Sequence, residues 1–225
     1  MPTNKSQDKS YHNAGNKDVL NCLRSPGNVL DIGCGAGDHA KVLQSSGFRV
    51  DGITISQTEL SESLPYLRNG YLFNLENGLP NEVLNEKYDY VICSHVLEHI
   101  CYPEKLLKDI HTCLAQEGLF IVALPNLFHY KSRWELVKGN FNYRESGIWD
   151  NTHFKWYSFL TGKNLLEENG FNIINKTVTG DLPGNSFFSK IFSKKISVKL
   201  YNILKIVSPG LFGYQLLYTA RANRK

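Results

Sequence analysis

The stretch Asn28–Ala40, NVLDIGCGAGDHA, carries more structural information than any other part of this chain. An apolar run leads through Asp31 to glycines at three alternate positions, Gly33, Gly35 and Gly37, and helix-compatible residues follow. The pattern predicts a strand, a tight turn and the start of a helix. Glycine permits positive φ and lets a ligand approach the backbone, and free amides at a helix start can donate to a polar ligand. The spacing departs from the G-x-G-x-x-G dinucleotide fingerprint, since Asp38 occupies the place of its third glycine.

The composition is that of an ordinary globular protein with enough residues to bury a core. The chain has 225 residues, of which 42% are hydrophobic and 20% are charged. This length lies within the range of single domains, so we expect one domain over residues 1–225. The polar N-terminus has no apolar signal core, and no run approaches the roughly 18 apolar residues of a membrane span.

The cysteines indicate a reducing compartment. There are five of them, an odd number, and they form no C-x-x-C pair. A disulfide framework or a thiolate zinc site is therefore disfavoured. We predict a cytoplasmic location on this basis.

Charge is distributed unevenly along the chain. The formal net charge is +4, but residues 182–225 contain 8 basic and no acidic residues, which leaves 17 basic against 21 acidic residues elsewhere. Apolar residues at helical spacing predict a basic amphipathic helix over 187–207; they are Ile196, Leu200, Ile203, Leu204 and Val207. Such a helix can lie on an anionic membrane surface, or it can pack its apolar face on the domain, which we favour. No nucleic-acid-binding module accompanies the charge, so we expect no nucleic-acid partner.

Strand-like and helix-like segments alternate from residue 28 onward. The predicted strands are 29–32, 49–55, 71–75, 88–94, 118–124, 171–179 and 214–222, and the predicted helices are 40–46, 57–68, 103–116, 158–169 and 187–207. This alternation predicts βαβ units, a mostly parallel sheet and helices on both of its faces, in three α/β/α layers. Ligands of such sheets bind at the carboxyl ends of the strands. Polar residues end four later strands at that edge, at Thr54, Asn74, Ser94 and Asn126.

Together these motifs resemble the class I S-adenosylmethionine-dependent methyltransferases. The resemblance rests on the series DIGCGAG, GITIS, FNLE, YDYVICSHVLEHI and GLFIVALPN, which covers roughly residues 28–126. The later segments GNFNYRESGIWDNTHFKWYS and LLEENGF resemble a subgroup of small-molecule methyltransferases of surface-polysaccharide and quinone-precursor biosynthesis. The resemblance implies a Rossmann-like fold with a seven-stranded, mostly parallel sheet whose last strand is antiparallel. It also implies S-adenosylmethionine as cofactor and a small-molecule methyl acceptor, for which O-methylation of a sugar or of a glycan or lipid precursor is our first choice.

The resemblance also implies roles for individual residues. Asp31 and the backbone of Gly33, Cys34 and Gly35 would hold the amino-acid end of the cofactor, and Gly37 belongs to the same turn. The remaining contacts would be Asn74 and Leu75 beside the adenine, and Ser94 and His95 under the sulfonium.

The end of the second strand departs from the family pattern. The residue there is usually acidic and holds both ribose hydroxyls, but this chain has Thr54, followed by Ile55. Threonine offers one hydroxyl and no two-oxygen acceptor. The predicted cofactor site still includes both residues.

Methyl transfer to a hydroxyl requires an oriented nucleophile and a base. Histidine is the natural base near neutral pH. We predict His153 as base or substrate ligand and His129 as the second candidate, while a structural role of His153 in pinning its loop stays open. His95, Glu98 and His99 share one helical face and could ligate a divalent metal. We predict no metal there and expect Glu98 and His99 to orient the helix beside the cofactor.

These expectations divide the chain into four parts. Residues 1–27 form an N-terminal lid or helix, in which Tyr11 and His12 could close over the cofactor, and 28–126 form the cofactor-binding core. Residues 127–157 form an aromatic loop on the substrate side, since long connections in compact domains are usually functional or disordered. Residues 158–225 form the C-terminal part. Two other functions stay open, a non-catalytic scaffold with this fold and a nicotinamide-dependent oxidoreductase, and so does the oligomeric state.

Overall fold

The computed structural model describes residues 15–180 and 193–224. Its strands form one seven-stranded sheet: β1 (Asn28–Ile32), β2 (Arg49–Thr54), β3 (Asn69–Leu72), β4 (Tyr88–Ser94), β5 (Leu114–Pro125), β6 (Phe171–Thr179) and β7 (Gln215–Ala222). Their order is β3-β2-β1-β4-β5-β7-β6. Neighbours among β1 to β5 pair in parallel, and β7 is antiparallel to both β5 and β6. The predicted α/β fold with a mostly parallel sheet and an antiparallel last strand is confirmed.

Helices cover both faces of the sheet because alternate residues of a strand point to opposite faces. The helices are α1 (Lys17–Leu20), α2 (Asp38–Ser45), α3 (Gln57–Ser63), α4 (Asn81–Leu84), α5 (Pro103–Cys113), α6 (Tyr130–Val137), α7 (Thr161–Glu168), α8 (Lys194–Val207) and α9 (Pro209–Phe212). On one face, Leu30 belongs to the same buried cluster as Leu106 of α5. On the other, Val29 belongs to a cluster with Leu43 of α2. No helix in the described ranges is long and apolar enough to cross a membrane.

Several elements differ from the prediction in the middle of the chain. The third strand is Asn69–Leu72 instead of 71–75, so Asn74 lies beyond it and caps a short 3-10 turn, Leu75–Asn77. The helix predicted over 103–116 ends at Cys113, because Leu114 already pairs with Tyr88 of β4. The aromatic segment, expected to be irregular, contains α6, which begins after His129.

The C-terminal helix also differs from the prediction. It is described over Lys194–Val207, while residues 187–192 of the predicted range lie outside the described residues, as do Tyr11 and His12. Its buried face is centred on Tyr201, which is 1% exposed and donates to the Phe212 carbonyl. The expected packing of the predicted apolar face on the domain is wrong, because Ile203 and Val207 of that face are 47% and 74% exposed.

The strand order indicates which edge of the sheet can bind a ligand. The chain leaves β1 toward β2 on one side and returns to β4 on the other, so the strand order reverses between β1 and β4. Open α/β sheets bind ligands at the carboxyl ends of their strands beside this reversal. The glycine turn after β1 and the residues after β4 meet there.

Candidate functional site at the carboxyl edge of the sheet

The glycine turn between β1 and α2 has a backbone conformation that residues with a Cβ would adopt only with strain. Gly33, Gly35 and Gly37 have φ of 71°, 53° and 85°, which lies in the left-handed region that glycine adopts most readily. A Cβ built on Gly33 would overlap Cγ2 of Val96, and one on Gly37 would lie 2.8 Å from Cβ of Ser63. The turn therefore packs against the segment after β4 and against α3, while Gly33 is exposed and Gly35 is half-buried.

Asp31, at the base of this turn, is buried and paired with a histidine that the sequence analysis did not single out. His39 Nδ1 lies 3.2 Å from Asp31 Oδ2, and the two side chains are 5% and 1% exposed. Burial opposes the charged imidazolium, but the Asp31 carboxylate outweighs it and raises the pKa of His39. Within the described ranges, His39 Nε2 is buried with no hydrogen-bond partner. The pair thus fixes the Asp31 side chain and leaves Nε2 of His39 available under the turn.

The end of β2 brings a second carboxylate to the site. The Thr54 hydroxyl donates to Glu59 Oε2 at 2.6 Å, and Thr54 Oγ1 accepts from the amide of Ser56 at 3.2 Å. Ser56 in turn caps α3 by accepting from the Glu59 amide. Ile55, beside them, is 40% exposed and offers an apolar surface at the site.

The predicted adenine and sulfonium contacts have different surroundings. Asn74 is exposed and its side chain accepts from the Glu76 amide, while Leu75 is half-buried against the core. Ser94 ends β4, and its Oγ is buried without a hydrogen-bond partner among the residues described. A buried hydroxyl without a partner is costly, so Ser94 is suited to contact a polar ligand.

His95 has a strained backbone and links three elements. Its φ of 57° is the one positive value for a non-glycine residue in the described chain, and such strain concentrates at functional sites. Its Nδ1 lies 3.3 Å from Glu98 Oε1, and its Nε2 lies 2.8 Å from Gln215 Oε1 of β7. Desolvation lowers the pKa of His95, but the Glu98 carboxylate and, to a smaller extent, Gln215 outweigh it, and the net shift is upward.

Glu98, His99 and His153 form a compact cluster beside His95, which we call the carboxylate–histidine cluster. One ligand atom from each lies within 4.8 Å of the other two, and the rings of His99 and His153 stack edge-on at 4.7 Å. The Glu98 side chain is 0% exposed, and neither of its oxygens accepts a well-aligned hydrogen bond in the described part of the chain. A carboxylate and two imidazoles in this arrangement can move a proton or hold a divalent cation.

Backbone contacts from a distant loop assemble this cluster. The amides of Phe154 and Lys155 both donate to the Glu98 carbonyl, at 2.9 and 3.2 Å. Thr152 reaches His99, with its Oγ1 3.0 Å from Nδ1. These contacts dock the DNTH segment onto the turn after β4, and they bring His153 to Glu98 although 55 residues separate them in sequence.

The protonation of His153 follows from its partners. Its Nδ1 lies 3.3 Å from the Ile148 carbonyl, which can only accept, so Nδ1 carries the proton and Nε2 keeps a lone pair. Burial lowers the pKa of His153, and the nearby Glu98 charge opposes the shift without cancelling it. The imidazole is therefore neutral at pH 7 and can accept a proton.

His129 lies in a different environment from the one expected of a base. It is 0% exposed, its Nδ1 accepts from the Lys131 amide as the cap of α6, and its Nε2 lies 3.3 Å from the Tyr201 hydroxyl. Burial lowers its pKa to about 4. Its Nδ1 thus caps α6 and its Nε2 connects this cap to α8. The Asn126 side chain also has a structural contact, since it donates to the Gly210 and Gly213 carbonyls.

Sequence comparisons agree with this geometry. A family model described as a methyltransferase domain matches residues 10–176, which is more than half of the chain. The ubiquinone biosynthesis O-methyltransferase of Rickettsia canadensis is 27% identical over 143 residues, covering 53% of this chain and 61% of the relative. The enzyme of the same name from Rickettsia bellii (strain OSU 85-389) is 31% identical over 100 residues, covering 44% and 42%. The chain thus spans less than two thirds of the length of these curated relatives.

Solved structures share the fold at low identity. A SAM-dependent methyltransferase from Archaeoglobus fulgidus superposes with a TM-score of 0.63 and 19% identity, covering 91% of this chain and 90% of its own. An S-adenosylmethionine-dependent methyltransferase from Mesorhizobium loti gives a TM-score of 0.60 and 17% identity, covering 91% and 96%. The glycine spacing, the strand order and the family match together favour this class over nicotinamide-dependent oxidoreductases, and the chain belongs to the methyltransferase domain family.

Proposed function

We propose that this protein transfers a methyl group from S-adenosylmethionine to a hydroxyl of a small molecule. The observation that carries the proposal is the juxtaposition of the glycine turn with the carboxylate–histidine cluster. The strand reversal between β1 and β4 places both at one edge of the sheet. A ligand-binding backbone beside a buried neutral imidazole is the arrangement that methyl transfer to a hydroxyl needs.

The residues at this edge fit the cofactor. The glycine backbone allows a close approach, Gly33 is exposed, and Ser94 has a buried hydroxyl without a protein partner in the described ranges. Asp31, Cys34 and Gly35 would hold the amino-acid end, and Ile55 with Asn74 and Leu75 would lie beside the adenine. When bound, the cofactor supplies an electrophilic methyl group on a sulfonium.

The carboxylate–histidine cluster would remove the acceptor proton. In the neutral imidazole of His153, Nε2 carries a lone pair that can accept the proton of the acceptor hydroxyl. The buried charge of Glu98 then favours the resulting imidazolium. General-base assistance of this kind contributes about 10²–10⁴-fold to a rate. Orientation of the acceptor hydroxyl is the larger effect, up to roughly 7–11 kcal/mol, and the docked DNTH segment would provide it.

The acceptor is proposed from the surface near the cluster and from the relatives. Phe141, Trp149 and Trp156 form an aromatic group, with Phe141 4.8 Å and 6.2 Å from the two tryptophans. A partly apolar acceptor that carries a hydroxyl fits this surface, such as a lipid-linked sugar, a glycan precursor or another lipid precursor. The relatives named as ubiquinone biosynthesis O-methyltransferases support oxygen as the methylated atom.

We further propose that α8 contacts an anionic membrane that presents such an acceptor. Ile206 and Val207 are 82% and 74% exposed at its end, and Lys195 and Lys199 are exposed on the same helix. Co-sedimentation with phosphatidylglycerol vesicles, compared with phosphatidylcholine vesicles, tests this contact. Replacing both Ile206 and Val207 by serine should reduce binding, whereas Ile174→Ser, at a 52% exposed position of β6, should not. Equal binding of all three proteins would refute it.

Isothermal titration with S-adenosylmethionine and S-adenosylhomocysteine tests the proposed function itself. We expect both to bind, and we expect Gly35→Leu to abolish binding. If neither ligand binds the wild-type protein, the proposal fails and the non-catalytic scaffold becomes the better description. Once binding is established, His153→Asn should lower the rate of methyl transfer to hydroxylated acceptors by about 10²-fold or more, with cofactor affinity unchanged.

A further inference from the structure

We infer that Glu59, on the first turn of α3, supplies the carboxylate that holds the cofactor ribose in this chain. This rests on the proposed function, because it assigns a ligand contact within the same site. The residue that ends β2 is Thr54, which has one hydroxyl and no second oxygen. Glu59 brings a carboxylate to the same position from five residues further along the chain.

The contact between the two residues is short and buried. Thr54 Oγ1 donates to Glu59 Oε2 at 2.6 Å, and the residues are 3% and 6% exposed. A carboxylate has two oxygens and about four acceptor sites, so it can accept from the Thr54 hydroxyl and from other donors at the same time. Thr54 thus acts as a positioning residue that holds the Glu59 carboxylate at the end of β2.

The carboxylate also lies next to the glycine turn. Burial raises the pKa of the Cys34 thiol in the middle of that turn, and the charges of Asp31 and Glu59 raise it further. The Cys34 amide donates to the Ile53 carbonyl of β2 at 2.9 Å, so the turn and the end of β2 are in direct contact. Glu59 therefore lies at the end of β2, close to the glycine turn and at the edge of the sheet where such folds bind ligands.

If Glu59 only capped α3, removing its charge would have a different effect on cofactor binding. The sequence Ser56-Gln57-Thr58-Glu59 has the S-x-x-E form of a capping box, in which the glutamate would accept from the Ser56 amide. In the structure the Thr54 side chain contacts both residues of this pattern, since its Oγ1 accepts from the Ser56 amide and its hydroxyl donates to Glu59 Oε2. Glutamine serves a capping box as well as glutamate does, so Glu59→Gln separates capping from a role of the charge.

The test measures binding of S-adenosylhomocysteine by titration calorimetry and melting of the ligand-free protein. Glu59→Gln should weaken binding about 10- to 100-fold, since the ribose hydroxyls no longer meet a charged acceptor, and should leave the melting temperature unchanged. Glu62→Gln, at an exposed position of the same helix, is the matched control and should bind like the wild type. The double variant Thr54→Asp with Glu59→Gln returns the carboxylate to the strand end and should restore affinity.

A ligand without the ribose hydroxyls completes the test. The 2′,3′-dideoxy analogue of S-adenosylhomocysteine should bind wild type and Glu59→Gln with equal affinity, because this analogue has no hydroxyl to donate to residue 59. If Glu59→Gln binds S-adenosylhomocysteine like the wild type, or if it weakens the analogue as much, the inference is wrong while the proposed function stands. If the wild type binds neither S-adenosylmethionine nor S-adenosylhomocysteine, the proposed function itself fails.

Discussion

Replacing His129 by asparagine should make the protein less sensitive to acid, because this histidine is kept neutral by the fold. His129 is 0% exposed, and burial lowers its pKa from 6.5 to about 4. Between these two values the unfolded chain binds a proton at this position and the folded protein does not. Stability therefore falls as the pH drops through about 6.5 and levels off below about 4.

The size of the effect follows from the two pKa values. Proton linkage with these values makes His129 cost about 2 kcal/mol of unfolding free energy at pH 5 and about 3 kcal/mol at pH 4, relative to pH 7.5. Asparagine is a good N-cap, so His129→Asn keeps the cap on the Lys131 amide while removing the titrating group. The shorter side chain no longer reaches Tyr201, so the variant is less stable at pH 7.5, but its further loss at pH 5 should be about 2 kcal/mol smaller than that of the wild type.

Urea unfolding followed by circular dichroism at pH 7.5 and pH 5.0 measures both quantities. His111→Asn makes the same substitution at a half-buried histidine elsewhere in the fold and serves as the control for the loss of a histidine. An equal loss of stability in wild type and His129→Asn would refute the reasoning. Unchanged affinity of His129→Asn for S-adenosylhomocysteine would further separate this structural histidine from the site.

Three more outcomes are expected. Gly37→Ala should destabilise the protein by about 1–3 kcal/mol more than Gly147→Ala. Both glycines have φ of 85°, but an added Cβ would lie 2.8 Å from Ser63 at position 37 and within 4 Å of nothing at position 147. Chemical denaturation measures the difference in unfolding free energy, and equal losses would contradict this prediction. Treatment with EDTA should leave methyl transfer unchanged if the carboxylate–histidine cluster moves a proton, whereas activity lost with EDTA and restored by Mg²⁺ would show that the cluster holds a cation. The contribution of the His39–Asp31 pair to protein stability should be fully present below about pH 6.5 and lost as the pH rises through the raised pKa of His39. His39→Gln should therefore lower the unfolding free energy more at pH 6 than at pH 9 in the same assay. A loss that grows with pH would contradict the assignment.

Local sequence patterns predict most strands of the sheet. The strand predicted over 88–94 is Tyr88–Ser94 and that over 171–179 is Phe171–Thr179, because apolar and β-branched runs bounded by turn residues report burial directly. Prediction fails where long-range pairing sets the boundary. The pairing of Leu114 with Tyr88 ends α5 early, and nothing in the local sequence signals it.

Part of the candidate site is likewise predictable from local sequence, and part depends on tertiary contacts. The glycine turn is predictable from spacing, because positive φ and close approach are local properties of Gly33, Gly35 and Gly37. The helical spacing of His95, Glu98 and His99 suggests one group, but the structure groups Glu98 and His99 with His153. The S-x-x-E pattern at Ser56 could have drawn attention to Glu59, although its contact with Thr54 could not be read from it.

The alternation of strands and helices, the parallel sheet and the backbone that can receive a nucleoside all follow from the amino-acid sequence without further information. Each depends on the conformational preferences and burial of residues that are neighbours in the chain. The set of side chains that meet at the carboxyl edge follows only from the folded arrangement, because the contact of His153 with Glu98 depends on how a loop docks 55 residues away. The burial of His129 under α8 has the same origin, since packing between elements far apart in sequence leaves no local pattern.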